Sequence, residues 1–81
     1  MAKINLWGAL RPAANGDASI EIEASTIREL MNKLEERYPM MSPEIEEGIA
    51  VSINGTIYQD AWSELIPADA EIYLLPRIPG G

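Results

Sequence analysis

Thr26-Ile27-Arg28-Glu29-Leu30-Met31-Asn32-Lys33-Leu34-Glu35-Glu36-Arg37-Tyr38-Pro39 is the stretch that decides how this chain folds. Ile27, Leu30, Met31, Leu34 and Tyr38 fall on one side of a helix, with Arg28, Glu29, Lys33, Glu35 and Glu36 on the other. Thr26 with Glu29 fits a capping box at the start, and Pro39 stops the helix at its end. The apolar stripe of such a helix is core, which leaves no role in ligand binding for Met31 or Tyr38.

Outward from this helix the sequence alternates in short runs. On the N-terminal side, Lys3 to Leu10 reads as a strand with Ile4, Leu6 and Gly8 facing one way and Lys3, Asn5 and Trp7 the other. Pro12, Asn15 and Gly16 form a turn before a second run, Ala18 to Ala24, with Ile20 and Ile22 inward. On the C-terminal side, Ser42-Pro43 opens a short helical turn that Gly48 closes. Its carboxylates Glu44, Glu46 and Glu47 suit a helix start and solvent, a simpler reading than a metal or acid/base cluster. Ala50 to Ile53 and Thr56 to Tyr58 flank Asn54-Gly55, the strongest hairpin signal in the chain. Gln59 to Pro67 is irregular, with Trp62 and Leu65 expected to pin it under the body. Glu71 to Leu75 is the last strand, Ile72 and Leu74 in, Tyr73 and Leu75 out. Five strands and one main helix give an α+β fold, a sheet with the helix across one face.

Composition narrows the function. The chain has 81 residues, room for one domain and one small core. A formal net charge of -7 excludes nucleic acid and anionic membrane surfaces as natural partners and favours a basic groove on another protein. With no cysteine and no histidine there is no disulfide, no thiolate nucleophile, no Cys/His zinc site and no cofactor to assign. Neither a signal peptide nor a membrane span is legible, so a cytoplasmic protein is expected.

The chain ends Pro76-Arg77-Ile78-Pro79-Gly80-Gly81, read as an extended tail on a body of residues 1–75. Pro76 and Pro79 fix their own φ and bias the preceding residues toward extended backbone, so the tail loses less entropy on entering a partner. Gly80 and Gly81 lack Cβ atoms, which lets a partner's backbone and a nucleotide close on the terminal carboxylate.

In order and length this arrangement resembles the ubiquitin-like β-grasp fold and, within it, the MoaD/ThiS family of sulfur-carrier proteins. The resemblance rests on Trp7-Gly8-Ala9-Leu10-Arg11, Thr26-Ile27-Arg28-Glu29-Leu30, Arg37-Tyr38-Pro39, Val51-Ser52-Ile53-Asn54-Gly55, and Leu74-Leu75-Pro76 running to Gly80-Gly81. It implies a mixed sheet in which the first and last strands pair. It also implies that Gly81 is adenylated by a separate ubiquitin-activating-like enzyme, which holds the ATP, and receives sulfur from a donor protein as a thiocarboxylate. Gly80, Pro79, Ile78 and Pro76 then insert into the partner, while Trp7, Tyr58, Tyr73 and Leu75 dock on it. The implied pathway is molybdopterin synthesis, with the large synthase subunit as a further partner and the chain itself non-catalytic. Leu74, Leu75 and Pro79 stand where molybdopterin-type tails carry aromatic and small residues, and Arg77 stands where a second proline is common. Three alternatives stay open: a carrier for thiamine or another sulfur metabolite, a modifier joined to proteins through Gly81, and a β-grasp interaction module whose Gly-Gly is inert.

Overall fold

The computed structural model describes residues 2–77. Five strands form one mixed sheet: β1 (Ala2–Leu6), β2 (Ser19–Ile22), β3 (Ile49–Ile53), β4 (Thr56–Tyr58) and β5 (Glu71–Pro76), in the order β2-β1-β5-β3-β4. The outer pairs are antiparallel, and the central pair, β1 with β5, is parallel with Asn5 opposite Tyr73 and Leu6 opposite Leu74. This is the ubiquitin-like β-grasp fold expected from the sequence.

Helix α1 (Ile27–Arg37) lies across one face. Ile27, Leu30, Met31 and Leu34 meet Ile4, Leu6, Ile20, Ile22, Val51, Ile53, Ile72 and Leu74 from the sheet, all buried in one core. Burying each such side chain is worth roughly 1.5–3 kcal/mol, so this layer supplies most of the stability. The capping box forms with a shift: the Thr26 hydroxyl accepts from the Glu29 amide at 3.2 Å, while the Glu29 carboxylate accepts from Ser25 rather than Thr26, at 2.6 Å.

The first strand ends at Leu6, four residues short of expectation, because Gly8–Leu10 and Pro12–Ala14 turn in 3-10 helices. That turn carries Leu10 and Ala14 into the core beside the sheet, where a continued strand would have taken them past its edge. A second short helix, α2 (Ser42–Glu47), follows a 3-10 turn at Pro39–Met41. Its Ser42, expected as a cap, instead donates its hydroxyl to Glu35 at 3.0 Å.

The segment after β4 docks on the start of α1 through backbone. The Ile27 and Arg28 amides, which have no partner within a helix, donate to the Glu64 and Trp62 carbonyls at 3.1 and 3.0 Å, and Ile66 donates to Ser25 at 2.9 Å. Trp62 packs against the core as expected. Leu65 does not: it is 69% exposed, and its neighbour Ile66 is the buried residue. Among the described residues no helix is long and apolar enough to cross a membrane.

Candidate functional site

The face of the sheet away from α1 carries the candidate docking surface. Strand register places Ser19, Asn5, Tyr73, Ser52 and Ile57 in one row across the five strands. Side chains directly opposite one another share a face, so the row is continuous. Trp7 extends it by one position, its amide donating to the Leu74 carbonyl at 3.0 Å and so prolonging the parallel ladder past β1. Leu75 lies opposite Ala50 on the same side.

Three of the four sequence-derived docking residues therefore come together. Trp7, Tyr73 and Leu75 line one shallow concavity with Asn5 and Arg11, and Trp7 and Tyr73 are 51% and 44% exposed. Tyr58 does not join them. It pairs with Val51, a core residue, so its ring lies on the helix side, half-buried in a cleft with Ile27, Met31 and Trp62. Ile57, 49% exposed and opposite Ser52, occupies the place expected of Tyr58. The two-residue turn at Asn54-Gly55 held this information: Ile53 opposes Thr56, so Tyr58 must share the face of inward Val51.

Charges of both signs border this surface, Arg11 lining the concavity itself. Glu71 lies two positions before Tyr73 on the same side, and its hydrogen bond and charge raise the Tyr73 phenol above its ordinary pKa. Beyond Trp7, a second cleft is lined by Leu10, Ile49 and Pro76 together with Glu44, Glu47 and Arg77. Among the described residues no group of three side chains is placed to hold a metal.

The root of the tail is tied to the body. Pro76 is the last residue of β5, opposite Ile49. Arg77 then places both terminal guanidinium nitrogens on Asp60, at 3.1 and 3.0 Å. The hydrogen bonds and opposite charge hold the Asp60 carboxyl below the usual carboxylate range and push Arg77 up. Neither Asp60 nor Arg77 was marked by the sequence as part of a site. They are 17 positions apart and nothing local announces the pair. Ile78, Pro79, Gly80 and Gly81, the remaining tail residues, lie outside the described residues.

A β-grasp body with its last strand central in the sheet, and an outer face that sets Trp7, Tyr73, Leu75 and Ile57 among polar residues, has the build of a ubiquitin-like domain. The ThiS family model matches residues 4–81, and the chain belongs to that family of small sulfur-carrier proteins. Solved structures share the fold. CysO from Mycobacterium tuberculosis is 15% identical with a TM-score of 0.79 over 96% of this chain and 100% of that one. The putative molybdopterin converting factor subunit 1 from Pyrococcus furiosus is 21% identical, with a TM-score of 0.78 over 95% and 97%. Small archaeal modifier protein 1 from Methanosarcina acetivorans is 24% identical, with a TM-score of 0.78 over 99% and 95%. No match was found among curated proteins.

Proposed function

We propose that this chain carries sulfur on its C-terminal glycine. The observation that supports the reading best is the family match running to Gly81, on a body with no cysteine thiol to carry transferable sulfur. A carboxylate is a poor acyl donor because its leaving group is oxide. Attack of the Gly81 carboxylate on the α-phosphorus of ATP releases pyrophosphate and leaves an acyl adenylate. The terminal sulfur of a persulfide on a donor protein then attacks that carbonyl and AMP leaves, giving an acyl disulfide; a second thiol of the donor attacks the donor-side sulfur, forming a disulfide there and releasing the thiocarboxylate on Gly81. The chain has no Gly-rich phosphate loop, so ATP sits in the activating enzyme.

In this reading Trp7, Tyr73 and Leu75, with Ile57, dock on the activating enzyme while Pro76, Ile78, Pro79 and Gly80 lead Gly81 into its active site. Molybdopterin synthesis is the favoured pathway, on the likeness to a molybdopterin converting factor subunit. The likeness to a small archaeal modifier protein supports a second reading, conjugation of Gly81 to lysine amines. Both begin with the same acyl adenylate.

Intact-mass spectrometry after incubation with ATP, a sulfur donor and the adenylating enzyme tests the reading. Exchange of one oxygen for sulfur, absent when Gly81 is deleted, is expected of a carrier. Isopeptide-linked products without that exchange would move the assignment to a modifier, and an unchanged protein with active enzyme present would overturn both.

A further inference from the structure

The Arg77–Asp60 pair sits where the sheet ends and the tail begins, and a third residue makes room for it. Gly48, just past α2, has φ +114, and a Cβ built there would come 2.7 Å from Arg77 Nη1 and 3.2 Å from its Cδ. The Arg77 side chain thus crosses the bare Gly48 backbone to reach Asp60, which itself stands in the left-handed region at φ 57. Three segments distant in sequence, the end of α2, the loop after β4 and the end of β5, converge on one guanidinium.

An exposed ion pair contributes little to global stability, and here the side chains are 46% and 60% exposed. Its bidentate geometry constrains direction instead, since two parallel hydrogen bonds fix the guanidinium plane and with it the residue that bears it. We infer that Asp60 is a positioning residue: by holding Arg77 across Gly48 it fixes the root of the tail, the point at which the chain leaves β5, before the activating enzyme engages it. Fully extended, the four residues after Arg77 reach no more than about 13 Å at ~3.3 Å each, so a misdirected root is not recovered further along. Fixing the root in advance lowers the ordering cost of binding and leaves the chemical step alone.

The functional part of this inference rests on the Gly81 reading; the structural part does not. Trypsin cleaves after Arg77 only when the guanidinium is free to enter its specificity pocket. Release of residues 78–81, followed by mass spectrometry, is expected to be three- to fivefold faster in Asp60→Asn than in the unaltered chain, with the melting temperature unchanged. With the activating enzyme, Asp60→Asn is expected to raise KM about threefold and leave kcat unchanged, and Arg77→Ala in the Asp60→Asn background is expected to add nothing further. Equal tryptic rates would overturn the inference. So would additive KM losses, which mark Arg77 as read directly by the enzyme, or a fall in kcat alone. If the unaltered chain is not adenylated at all, the Gly81 reading fails, and the tryptic comparison alone decides whether Asp60 holds Arg77.

Discussion

Asn54 grips Glu71 at two points: its side-chain oxygen accepts from the Glu71 amide at 2.9 Å, and its own amide donates to the Glu71 carbonyl at 2.9 Å. The hairpin turn is thereby stitched to the first residue of β5, the strand that leads to the tail. Asn54 and Gly55 have φ 49 and 92, the paired left-handed conformation of a two-residue turn. A Cβ on Gly55 would meet nothing within 4 Å, so Gly55→Ala bears only the backbone strain, about 1–2 kcal/mol. Asn54→Ala removes a hydrogen bond as well as left-handed tolerance and should cost about as much, roughly 1–2 kcal/mol. Urea titration of both variants checks the pair; loss well below 0.5 kcal/mol for each would show that the turn does not fix the register.

The outer sheet face yields a prediction that separates neighbours. If the face away from α1 docks the activating enzyme, Ile57→Ala and Tyr73→Ala weaken that complex by about 1 kcal/mol or more each, the scale of central interface residues. Their stability should change by no more than about 0.5–1 kcal/mol, as for exposed strand positions. Tyr58→Ala should do the reverse, destabilising the fold through its half-buried ring while leaving affinity near the parent value. Titration calorimetry beside chemical denaturation measures both; a larger affinity loss for Tyr58 than for Ile57 would overturn the assignment of faces.

Much of this was legible in the sequence, and the gaps share a cause. The helix, the Asn54-Gly55 hairpin and inward Ile72 and Leu74 were readable because period and turn chemistry are local. Asn15 and Gly16 marked a turn, but not that the chain would leave the sheet as early as Leu6, since alternation through Gly8 and Leu10 fits a strand equally well. Leu65 and Ile66 were confused because an irregular segment has no period to choose between adjacent apolar residues. The Gly48, Asp60 and Arg77 convergence was invisible because each residue has a sufficient local reading: a helix stop, a loop acid and a tail cation.

Tyr73 provides a pH-dependent test of the outer face. The adjacent Glu71 carboxylate raises its phenol pKa, so the folded protein favours the neutral phenol. That contribution is present below the ordinary tyrosine value near 10 and is lost as pH rises through the raised folded value. Carbon-13 NMR of the labelled tyrosine rings should show Tyr73 titrating above 10, and Glu71→Gln should bring it back toward that value. An unchanged midpoint in Glu71→Gln would remove Glu71 as the cause.

The docking of the Gln59–Pro67 segment on α1 gives the last prediction. Its carbonyls satisfy the Ile27 and Arg28 amides, Thr26 satisfies Glu29, and Ile66 seals the contact from below. Removing the Thr26 hydroxyl with Thr26→Val leaves the Glu29 amide unpaired and should cost about 1 kcal/mol. Ile66→Ala opens space in the core and should cost about 2 kcal/mol or more, whereas Leu65→Ala, at an exposed site one residue away, should stay within about 0.5 kcal/mol. Hydrogen exchange at the Ile27 and Arg28 amides separates the two effects. Among the described residues both amides are hydrogen-bonded to the segment, so Ile66→Ala should speed their exchange beyond the change in global stability, while Leu65→Ala leaves it alone. Equal effects from the two substitutions would mean that the backbone contacts hold the segment without Ile66.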